Sequence, residues 1–255
     1  MRFSKWHALG NSYLVVERAL DGALAPELAR RLCDIRYGVG SDGVVEILAV
    51  SGSRAEIVIW NPDGSSAEFS GNGSRIAAAW LARRAAANAV TVEAGGQTYP
   101  ATVRENGLIA MAVGDVEVGE IEIVELGDER IELTAVSVGN PHAVVRAEPD
   151  RQTLLRLGPQ LEVNGRFPDR TNVQLVRVDG PNDVTVAVWE RGAGETTASG
   201  SSAVAVASAA IVNGWCESPV TVHMPGGELL VELDEETQLT LVGPADEICE
   251  GELRL

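Results

Sequence analysis

The alternation of hydrophobic and polar positions along the chain predicts many short strands and few helices. The strands predicted for the first half span residues 13–17, 44–50, 55–60, 89–93, 98–105 and 108–113. Those predicted for the second half span residues 130–138, 143–146, 173–179, 183–189, 220–224, 228–233 and 237–243. Each half also has one short helix, at residues 26–34 and 150–157, and one longer helix, at residues 76–87 and 203–212. Because the longer helices are almost entirely apolar, we expect them to be buried on all sides.

The two halves repeat each other in spacing. The separation along the chain is 70 − 11 = 59 for Asn11 and Ser70, and it is 199 − 140 = 59 for Asn140 and Ser199. Such a long repeat predicts two similar domains, because solenoid repeats have shorter periods. The expected fold is α+β, with each domain a curved, antiparallel-rich sheet wrapped around a central helix. The predicted domains are residues 1–113 and 114–242, and the tail 243–255 returns to the first.

Each half places a Ser-Gly pair at the start of its longer helix. Ser70-Gly71 lies in the run N-P-D-G-S-S-A-E-F-S-G-N-G-S-R, and Ser199-Gly200 lies in E-R-G-A-G-E-T-T-A-S-G-S-S. A glycine-rich loop that opens a helix presents backbone N–H groups and the positive end of the helix dipole. Two such loops therefore predict that both halves contribute anion-binding groups to one site.

Composition narrows the possible partners. The 255-residue chain is 45% hydrophobic, and its net charge of −17 argues against nucleic acid and anionic membranes as partners. It lacks the long apolar run of a signal peptide or membrane span. The scattered Cys33, Cys216 and Cys249 have no metal-binding spacing and predict structural thiols in a reducing cytoplasm. We expect a small-molecule substrate, a cytoplasmic location and no metal, with a homodimer left open.

These motifs resemble those of the diaminopimelate epimerase family, in the group that includes proline racemase. Residues 61–75, 138–142 and 189–202 carry the resemblance, and shorter matches extend it over nearly the whole chain. It implies a cofactor-independent isomerase that interconverts LL- and meso-diaminopimelate without pyridoxal phosphate, in lysine biosynthesis. In the family, one cysteine removes the Cα proton and a second delivers a proton on the opposite face.

Both positions that match the family's cysteines hold serine, Ser70 and Ser199. A thiol ionises near pH 8.5, whereas water, with a pKa of about 15.7, is a fair analogue of an alcohol. Forming the alkoxide therefore costs roughly 10 kcal/mol more than forming the thiolate. Helix dipoles contribute only about 1–2 kcal/mol each, so we expect low activity or none unless a neighbour activates the serines. His142 is the candidate activator, and a packing or hydrogen-bonding histidine is the alternative.

Three interpretations of the serines stay open. They are deliberate replacements in an enzyme that had cysteines, natural residues of a protein that does other chemistry on a similar substrate, or the mark of a binding protein that has lost catalysis. We favour the first, because the binding positions of the family are kept.

The resemblance also assigns substrate-binding positions. The loops matching those that hold the α-carboxylate contain Gly71, Asn72, Gly200 and Ser201; helix capping is their structural alternative. Asn61 and Glu190 match residues near the α-ammonium group. The positions that match those binding the far end of diaminopimelate are Asn11, Asn140, Asn172 and Arg191. Gly43 replaces a glutamine found in some members, so one distal contact is expected to be lost or replaced.

The sequences around the two serines also bear on other possible functions of the chain. A serine hydrolase would need the nucleophile elbow G-x-S-x-G, and neither E-F-S-G-N around Ser70 nor T-A-S-G-S around Ser199 matches it. A racemase or isomerase of another amino acid in the same group, and a noncatalytic amino-acid-binding protein, remain as alternatives.

Overall fold

The computed structural model describes residues 1–18, 24–67, 70–234 and 238–253. In chain order its strands are β1 (Arg2–Ala8), β2 (Asn11–Glu17), β3 (Val44–Ser51), β4 (Arg54–Trp60), β5 (Ser66–Ala67), β6 (Ala89–Ala94), β7 (Gln97–Val103), β8 (Ile109–Ala112), β9 (Glu117–Leu126), β10 (Glu129–Ser137), β11 (Pro141–Arg146), β12 (Asn172–Gly180), β13 (Asp183–Glu190), β14 (Gly194–Thr196), β15 (Val220–Met224), β16 (Gly227–Leu233), β17 (Leu239–Gly243) and β18 (Asp246–Glu252). Its helices are α1 (Pro26–Cys33), α2 (Gly71–Ala85), α3 (Arg151–Glu162) and α4 (Gly200–Val212).

The chain forms two compact units. Unit 1 comprises Met1–Ala112 and Val242–Leu255, and unit 2 comprises Val113–Leu241. The C-terminal strand β18 lies in unit 1, where it pairs antiparallel with β1. The two ends of the chain are therefore neighbours in one sheet, and the N-terminal amino group donates to the carbonyl of Leu253 at 2.7 Å.

The same sheet pattern recurs in both units. In unit 1 the strand order is β18-β1-β2-β3-β4-β6-β7-β8, and only β2–β3 and β4–β6 pair in parallel among these described pairings. In unit 2 the order is β9-β10-β11-β12-β13-β15-β16, with β11–β12 and β13–β15 parallel. Equivalent elements of the two units start 129 residues apart. Helix α4 starts at residue 200 and α2 at residue 71 (200 − 71 = 129), and strand β13 starts at residue 183 and β4 at residue 54 (183 − 54 = 129).

Each sheet curves around one buried helix. Helix α2 packs against seven strands of its own unit, β1–β4 and β6–β8, and α4 packs against β9–β12, β15 and β16. Residues Gly200 and Ser202–Ala210 of α4 are all buried. Helix α4 is apolar and buried around its circumference, as the sequence pattern indicated. Helix α2 departs from this expectation, because it buries the charged Arg75 and exposes Arg83 and Arg84 near its C-terminal end. The predicted α+β class, with two similar sheets wrapped around central helices, is confirmed.

Both central helices begin earlier than predicted. They start at Gly71 and Gly200 rather than at residues 76 and 203, because the serine in front of each glycine caps the first turn. The cap holds these glycines in helical conformation despite their poor intrinsic propensity. Helix α3 is also longer than expected and continues through Pro159 to Glu162.

Three longer strands were not predicted, namely β1, β9 and β18. Strands β9 and β18 are rich in glutamate, and most of their residues are exposed or half-buried, so their hydrophobic pattern is weak. Strand β1 alternates between buried and partly exposed residues, a pattern typical of strands, but the basic Lys5 and His7 interrupt it. The predicted strand at 237–243 begins at Leu239, and residue 237 lies outside the described residues.

Two shorter helices pack on the sheets away from α2 and α4. Leu32 of α1 is buried in a cluster with Leu14 and Val44, and Leu157 of α3 is buried in a separate cluster with Leu175. Among the described helices none has the length and apolarity that a membrane crossing would require.

The burial of α2 predicts the cost of truncating its core side chain. Leu81 is 0% exposed and packs in a cluster that α2 shares with the surrounding strands. Leu81→Ala should lower the free energy of unfolding by about 2–5 kcal/mol, because the packed strands around it can relax only partly into the cavity. Leu155→Ala is the matched control, since Leu155 is 40% exposed on α3. Urea unfolding followed by circular dichroism measures both, and equal losses would contradict the central position of α2.

Candidate active site

Ser70 is the N-cap residue of α2. Its backbone is extended, with φ −141° and ψ 115°, and its Oγ accepts a hydrogen bond from the Gly73 N–H at 3.1 Å. The Tyr13 hydroxyl lies 3.1 Å from the same Oγ. The first N–H groups of a helix have no carbonyl partner within it, so the N–H of Gly71 can face an anion. Ser70 is half-buried, which leaves it accessible from one side.

Polar side chains in the first turn of α2 form a chain of hydrogen bonds. The Arg75 guanidinium donates to Asn72 Oδ1 at 2.8 Å, and Asn72 Nδ2 donates to Asn11 Oδ1 at 3.0 Å. Arg75 is fully buried, and within the described residues its Nε and Nη1 have no hydrogen-bond partner. Burial lowers the pKa of Arg75 to about 10, so the group stays charged at neutral pH. A buried positive charge therefore lies one turn inside the helix, which favours an anion at its start.

Asn61 lies at the turn that precedes α2. Its Nδ2 donates to Ser65 Oγ at 2.9 Å, and its carbonyl accepts from the Gly64 N–H at 3.0 Å. Asp63 closes the same turn by accepting from the Ser65 N–H and hydroxyl. The side-chain amide of Asn61 is thus engaged in the turn, and its Oδ1 is the polar atom that remains for a ligand.

Packing explains why position 43 is occupied by glycine. A Cβ at this position would lie 2.4 Å from Cε1 of Tyr13 and 2.8 Å from the Trp60 carbonyl oxygen. Only glycine fits beside this ring, so the space of a larger residue at 43 is taken by Tyr13.

Ser199 is the equivalent N-cap of α4 in unit 2. Its backbone angles, φ −144° and ψ 123°, match those of Ser70, and its Oγ accepts from the Ser202 N–H at 3.4 Å. The Ser201 hydroxyl is 3.5 Å from that Oγ, and the Glu190 carboxyl is a neighbour of Ser199. Burial raises the pKa of Glu190, and the nearby Ser199 hydroxyl only partly opposes that rise. Ser199 is 4% exposed, so this carboxyl and hydroxyl share a largely dry environment.

Asn172 holds the loop that carries Arg191. Asn172 Nδ2 donates to the Pro141 carbonyl at 3.0 Å, and its Oδ1 accepts from the backbone N–H of Arg191 at 3.0 Å. Both polar atoms of its side chain are therefore used within the protein. Arg191 itself is exposed, and its Nη1 donates to the Asp169 carbonyl at 3.0 Å.

Glu162 fixes the same loop from the end of α3. Its carboxylate accepts from the Trp189 indole N–H at 2.7 Å and from the Gly192 N–H at 2.8 Å, and it pairs with Arg170. Burial opposes ionisation of Glu162, but these donors outweigh it and hold its pKa below the usual value. Gly158 gives the indole its space, because a Cβ there would lie 2.7 Å from Cγ of Trp189.

His142, the predicted activator, is used elsewhere. Its Nε2 lies 2.9 Å from Asn140 Oδ1, and its Nδ1 lies 3.0 Å from the amide nitrogen of Gln174. Since an amide nitrogen only donates, Nδ1 is unprotonated and Nε2–H donates to Asn140. Burial lowers the pKa of His142 to about 3. With both ring nitrogens engaged and a weak basicity, His142 fits the hydrogen-bonding alternative, and the hypothesis that it activates a serine is not supported.

Each capping hydroxyl has a different titratable neighbour. The Tyr13 hydroxyl lies beside Ser70, and the Glu190 carboxyl lies near Ser199. Tyr13 and Glu162 were not singled out by the sequence analysis. The repeat could have found Tyr13, because 142 − 13 = 129 places it opposite His142. Among the residues that the structure describes, no group of three or more His, Cys, Asp or Glu side chains is placed to hold a metal ion.

The chain matches the family model for diaminopimelate epimerase twice, over residues 3–119 and 134–248. Its relatives include a diaminopimelate epimerase of Pelotomaculum thermopropionicum, 36% identical with 99% of this chain and 98% of that protein covered. Another, from Pseudomonas aeruginosa, is 36% identical over 274 residues and covers 100% and 99% of the two chains. The resemblance predicted from the motifs is confirmed.

Solved structures share the fold. A predicted epimerase from Pseudomonas aeruginosa has a TM-score of 0.75 at 19% identity, covering 100% of this chain and 99% of that one. A probable proline racemase from Agrobacterium radiobacter has a TM-score of 0.76 at 16% identity, with 100% and 93% covered. At these identities the likeness concerns the fold alone.

The buried Glu162 carboxylate predicts a pH-dependent stability. Because its folded-state pKa is lowered from 4.5, its contribution is present above that value and is lost as the pH falls through the lower pKa. Glu162→Gln should lower the free energy of unfolding at neutral pH by about 1.5–3 kcal/mol, because it removes hydrogen bonds to a charged group. Urea unfolding of both forms, repeated from neutral to acidic pH, should show this difference shrinking as the carboxylate is protonated.

The control for this experiment is Glu129→Gln. It removes an exposed ion pair with Arg156 and should change the free energy of unfolding little at any pH. A difference between the parent and Glu162→Gln that stays constant with pH would contradict the role assigned to the Glu162 charge.

Proposed function

The chain belongs to the diaminopimelate epimerase family, and from this premise we propose that it interconverts LL- and meso-diaminopimelate by proton transfer at Cα. Members of the family are isomerases, so the chain is an isomerase of this fold. In the proposed reaction Ser70 and Ser199 stand at the two acid–base positions, one on each face of Cα.

The observation that carries the proposal is the matched geometry of the two serines. Each is the extended N-cap of a buried central helix, with φ −141° and ψ 115° at Ser70 and φ −144° and ψ 123° at Ser199. Each hydroxyl accepts an N–H from the first turn, which orients its remaining lone pair and proton. Proton removal from one face of carbon and delivery to the other requires two groups of this kind, held alike.

The α-carboxylate of the substrate is assigned to the helix starts. In the proposal it accepts from the N–H groups of Gly71 and Asn72 in one loop and of Gly200 and Ser201 in the other. Helix N-termini favour anions through these N–H groups and the dipole, and the buried charge of Arg75 adds to that field in unit 1. The α-ammonium group is assigned to Asn61 Oδ1 and the Glu190 carboxylate.

The second amino-acid end of diaminopimelate needs groups for both a carboxylate and an ammonium. The exposed Arg191 guanidinium fits the carboxylate, and the amide groups of Asn11 and Asn140 fit the remaining polar atoms. Asn172 acts differently in this proposal, because both its polar atoms already hold Arg191 and Pro141. It places the Arg191 loop rather than touching the ligand.

The serines limit the rate. A hydroxyl is several pKa units less acidic than a thiol, so a serine is a poor base and a poor acid towards carbon. We therefore assign this Ser70/Ser199 form a low activity, with the binding function intact. The reaction proposed here uses neither pyridoxal phosphate nor metal, and its place is lysine biosynthesis in the cytoplasm.

Ligand binding is expected even where turnover is slow. At 100 times the dissociation constant, meso-diaminopimelate should stabilise the folded chain by about 2.7 kcal/mol. Thermal unfolding with LL- and meso-diaminopimelate, and with proline and lysine as comparison ligands, measures this. Arg191→Ala should abolish the shift, whereas Arg130→Ala removes an exposed arginine of β10 and should leave it unchanged. A shift with another amino acid and none with diaminopimelate would replace the substrate assignment.

Restoring thiols should raise the activity. Ser70→Cys combined with Ser199→Cys should increase epimerisation of LL-diaminopimelate by at least about 100-fold, because positioned acid–base groups contribute about 10²–10⁴-fold. Cα–H exchange in D2O and formation of the other diastereomer, both followed by proton NMR, measure the two steps separately. Each single cysteine form should remain below the double form, since inversion needs both groups.

The matched control places one thiol in each helix away from the cap. Ser74→Cys with Ser208→Cys changes two buried serines of α2 and α4 whose hydroxyls have no hydrogen-bond partner among the described residues. This form should keep the parent's activity. An inactive Ser70→Cys/Ser199→Cys form that still binds diaminopimelate would favour the noncatalytic binding function instead.

A further inference from the structure

We propose that the Tyr13 hydroxyl acts through Ser70 and supplies the proton that Ser70 exchanges with the substrate's Cα. The inference rests on the proposed function and adds a residue to it. Tyr13 does not touch the substrate in this scheme; it is a positioning residue that also holds the proton. Serine alone lacks the acidity for the step, and a phenol is the stronger acid beside it.

The geometry of Ser70 leaves the right atoms available. Its Oγ has two lone pairs and one proton, and the Gly73 N–H occupies one lone pair at 3.1 Å. The Tyr13 hydroxyl lies at 3.1 Å and can donate to the second lone pair. The Ser70 proton is then free to point away from the helix, towards a bound ligand. Both hydrogen bonds would stabilise developing negative charge on Oγ.

The ring of Tyr13 is confined by two glycines. A Cβ at Gly43 would lie 2.4 Å from Cε1 of the ring, and a Cβ at Gly73 would lie 3.4 Å from the same atom. Cε1 is bonded to the carbon that bears the hydroxyl, so the space that a side chain at position 43 would need is occupied by the hydroxyl end of the ring. Tyr13 is 7% exposed and packs in the α2 core cluster. The absence of a side chain at position 43 therefore leaves room for the Tyr13 phenol beside Ser70.

The internal repeat supports a specific role. Tyr13 occupies the position equivalent to His142, since 142 − 13 = 129, but His142 bonds with Asn140 and Gln174. Conversely, Glu190 is equivalent to Asn61, since 190 − 61 = 129, and Asn61 bonds within its turn. Each capping serine thus has one titratable neighbour, and the two neighbours come from different positions of the repeat.

The proton transfers balance through exchange with solvent. In the delivery step, the Ser70 O–H proton moves to the Cα carbanion while the Tyr13 proton moves to Ser70 Oγ, and Tyr13 becomes a phenolate. The proton that was removed on the Ser199 face is then released to solvent, and solvent returns one proton to the phenolate. In the reverse direction, Ser70 takes the Cα proton while its own proton passes to the Tyr13 phenolate, and solvent supplies the proton on the Ser199 face. A phenol ionises near pH 10, whereas an alcohol resembles water at about 15.7.

The test is a four-form cycle in the full chain, consisting of the parent, Tyr13→Phe, Ser70→Cys and Tyr13→Phe/Ser70→Cys. Cα–H exchange of LL- and meso-diaminopimelate in D2O is followed by proton NMR. Tyr13→Phe should slow exchange at the Ser70 face by about 100-fold or more. In the Ser70→Cys background the same change should cost no more than about threefold, because a thiol does not need the phenol. Tyr99→Phe, at another buried tyrosine of unit 1, is the control and should keep the parent's rate.

A pH profile separates proton supply from simple packing. In the parent, the rate of proton delivery should fall as the pH rises through the phenol range near 10. This limb should be missing in Tyr13→Phe, whose ring still fills the space beside Gly43. The parent's limb needs no variant, so it can be measured whatever the fold of Tyr13→Phe. A profile without it would overturn the inference.

The remaining outcomes are equally decisive. Equal losses from Tyr13→Phe in the parent and in the Ser70→Cys background would show a structural role and overturn the inference. So would a parent without detectable exchange beside an active Ser70→Cys/Ser199→Cys form, and in that case the proposed function stands. An inactive Ser70→Cys/Ser199→Cys form marks failure of the proposed function itself, because the inference gives the phenol no role in that form.

Discussion

In each unit, the N–H groups at the start of the buried central helix need hydrogen-bond acceptors, and this need constrains the residues around them. A helix that packs against its own sheet on most of its surface has few contacts with water there, so most of its buried side chains are apolar and its first turn must find acceptors. Ser70 and Ser199 meet that need with their hydroxyls. The same hydroxyls are thereby fixed in direction at the one end of the helix where negative charge is favoured. Capping, burial and the candidate chemistry are consequences of a single arrangement that occurs twice in the chain.

The two units share one framework of strands and a central helix but differ in the polar partners of their capping serines. The parallel and antiparallel pairings recur in the same order, and the starts of the central helices keep the same offset as the strands around them. The side chains around the capping serines do not follow the repeat. The Tyr13 hydroxyl lies 3.1 Å from its serine, whereas His142 bonds with Asn140. Glu190 lies near its serine, whereas Asn61 bonds within a turn. A reaction that removes a proton from one face and adds one to the other has a use for such inequality, since its two groups start in opposite protonation states.

The sequence predicted the framework well because burial leaves a strong pattern. The apolar helices, most strands and the equal spacing of Asn11–Ser70 and Asn140–Ser199 could be obtained by counting. The strands β9 and β18 could not, because their charged residues obscure the alternation and only pairing with a neighbour defines them. The site was predicted by residue type but not by contact. Nothing in the spacing shows that both nitrogens of His142 are already bonded, or that Asn172 is used up in holding Arg191. Such facts depend on side-chain directions that only the assembled sheet determines.

Gly43 shows how a packing constraint and a chemical one are linked. As a sequence position it suggested a lost substrate contact. In the structure it is the space that an aromatic ring requires, 2.4 Å from where a Cβ would stand. The ring brings a hydroxyl to 3.1 Å from Ser70. A thiol at position 70 would need no such neighbour, because its own pKa of about 8.5 lies several units below that of an alcohol. A hydroxyl does need one, since neither the helix dipole nor a backbone N–H closes a gap of several pKa units. Gly43, Tyr13 and Ser70 therefore depend on one another. Gly43 leaves room for the Tyr13 ring, and the Tyr13 phenol supplies the acidity that the Ser70 hydroxyl does not have.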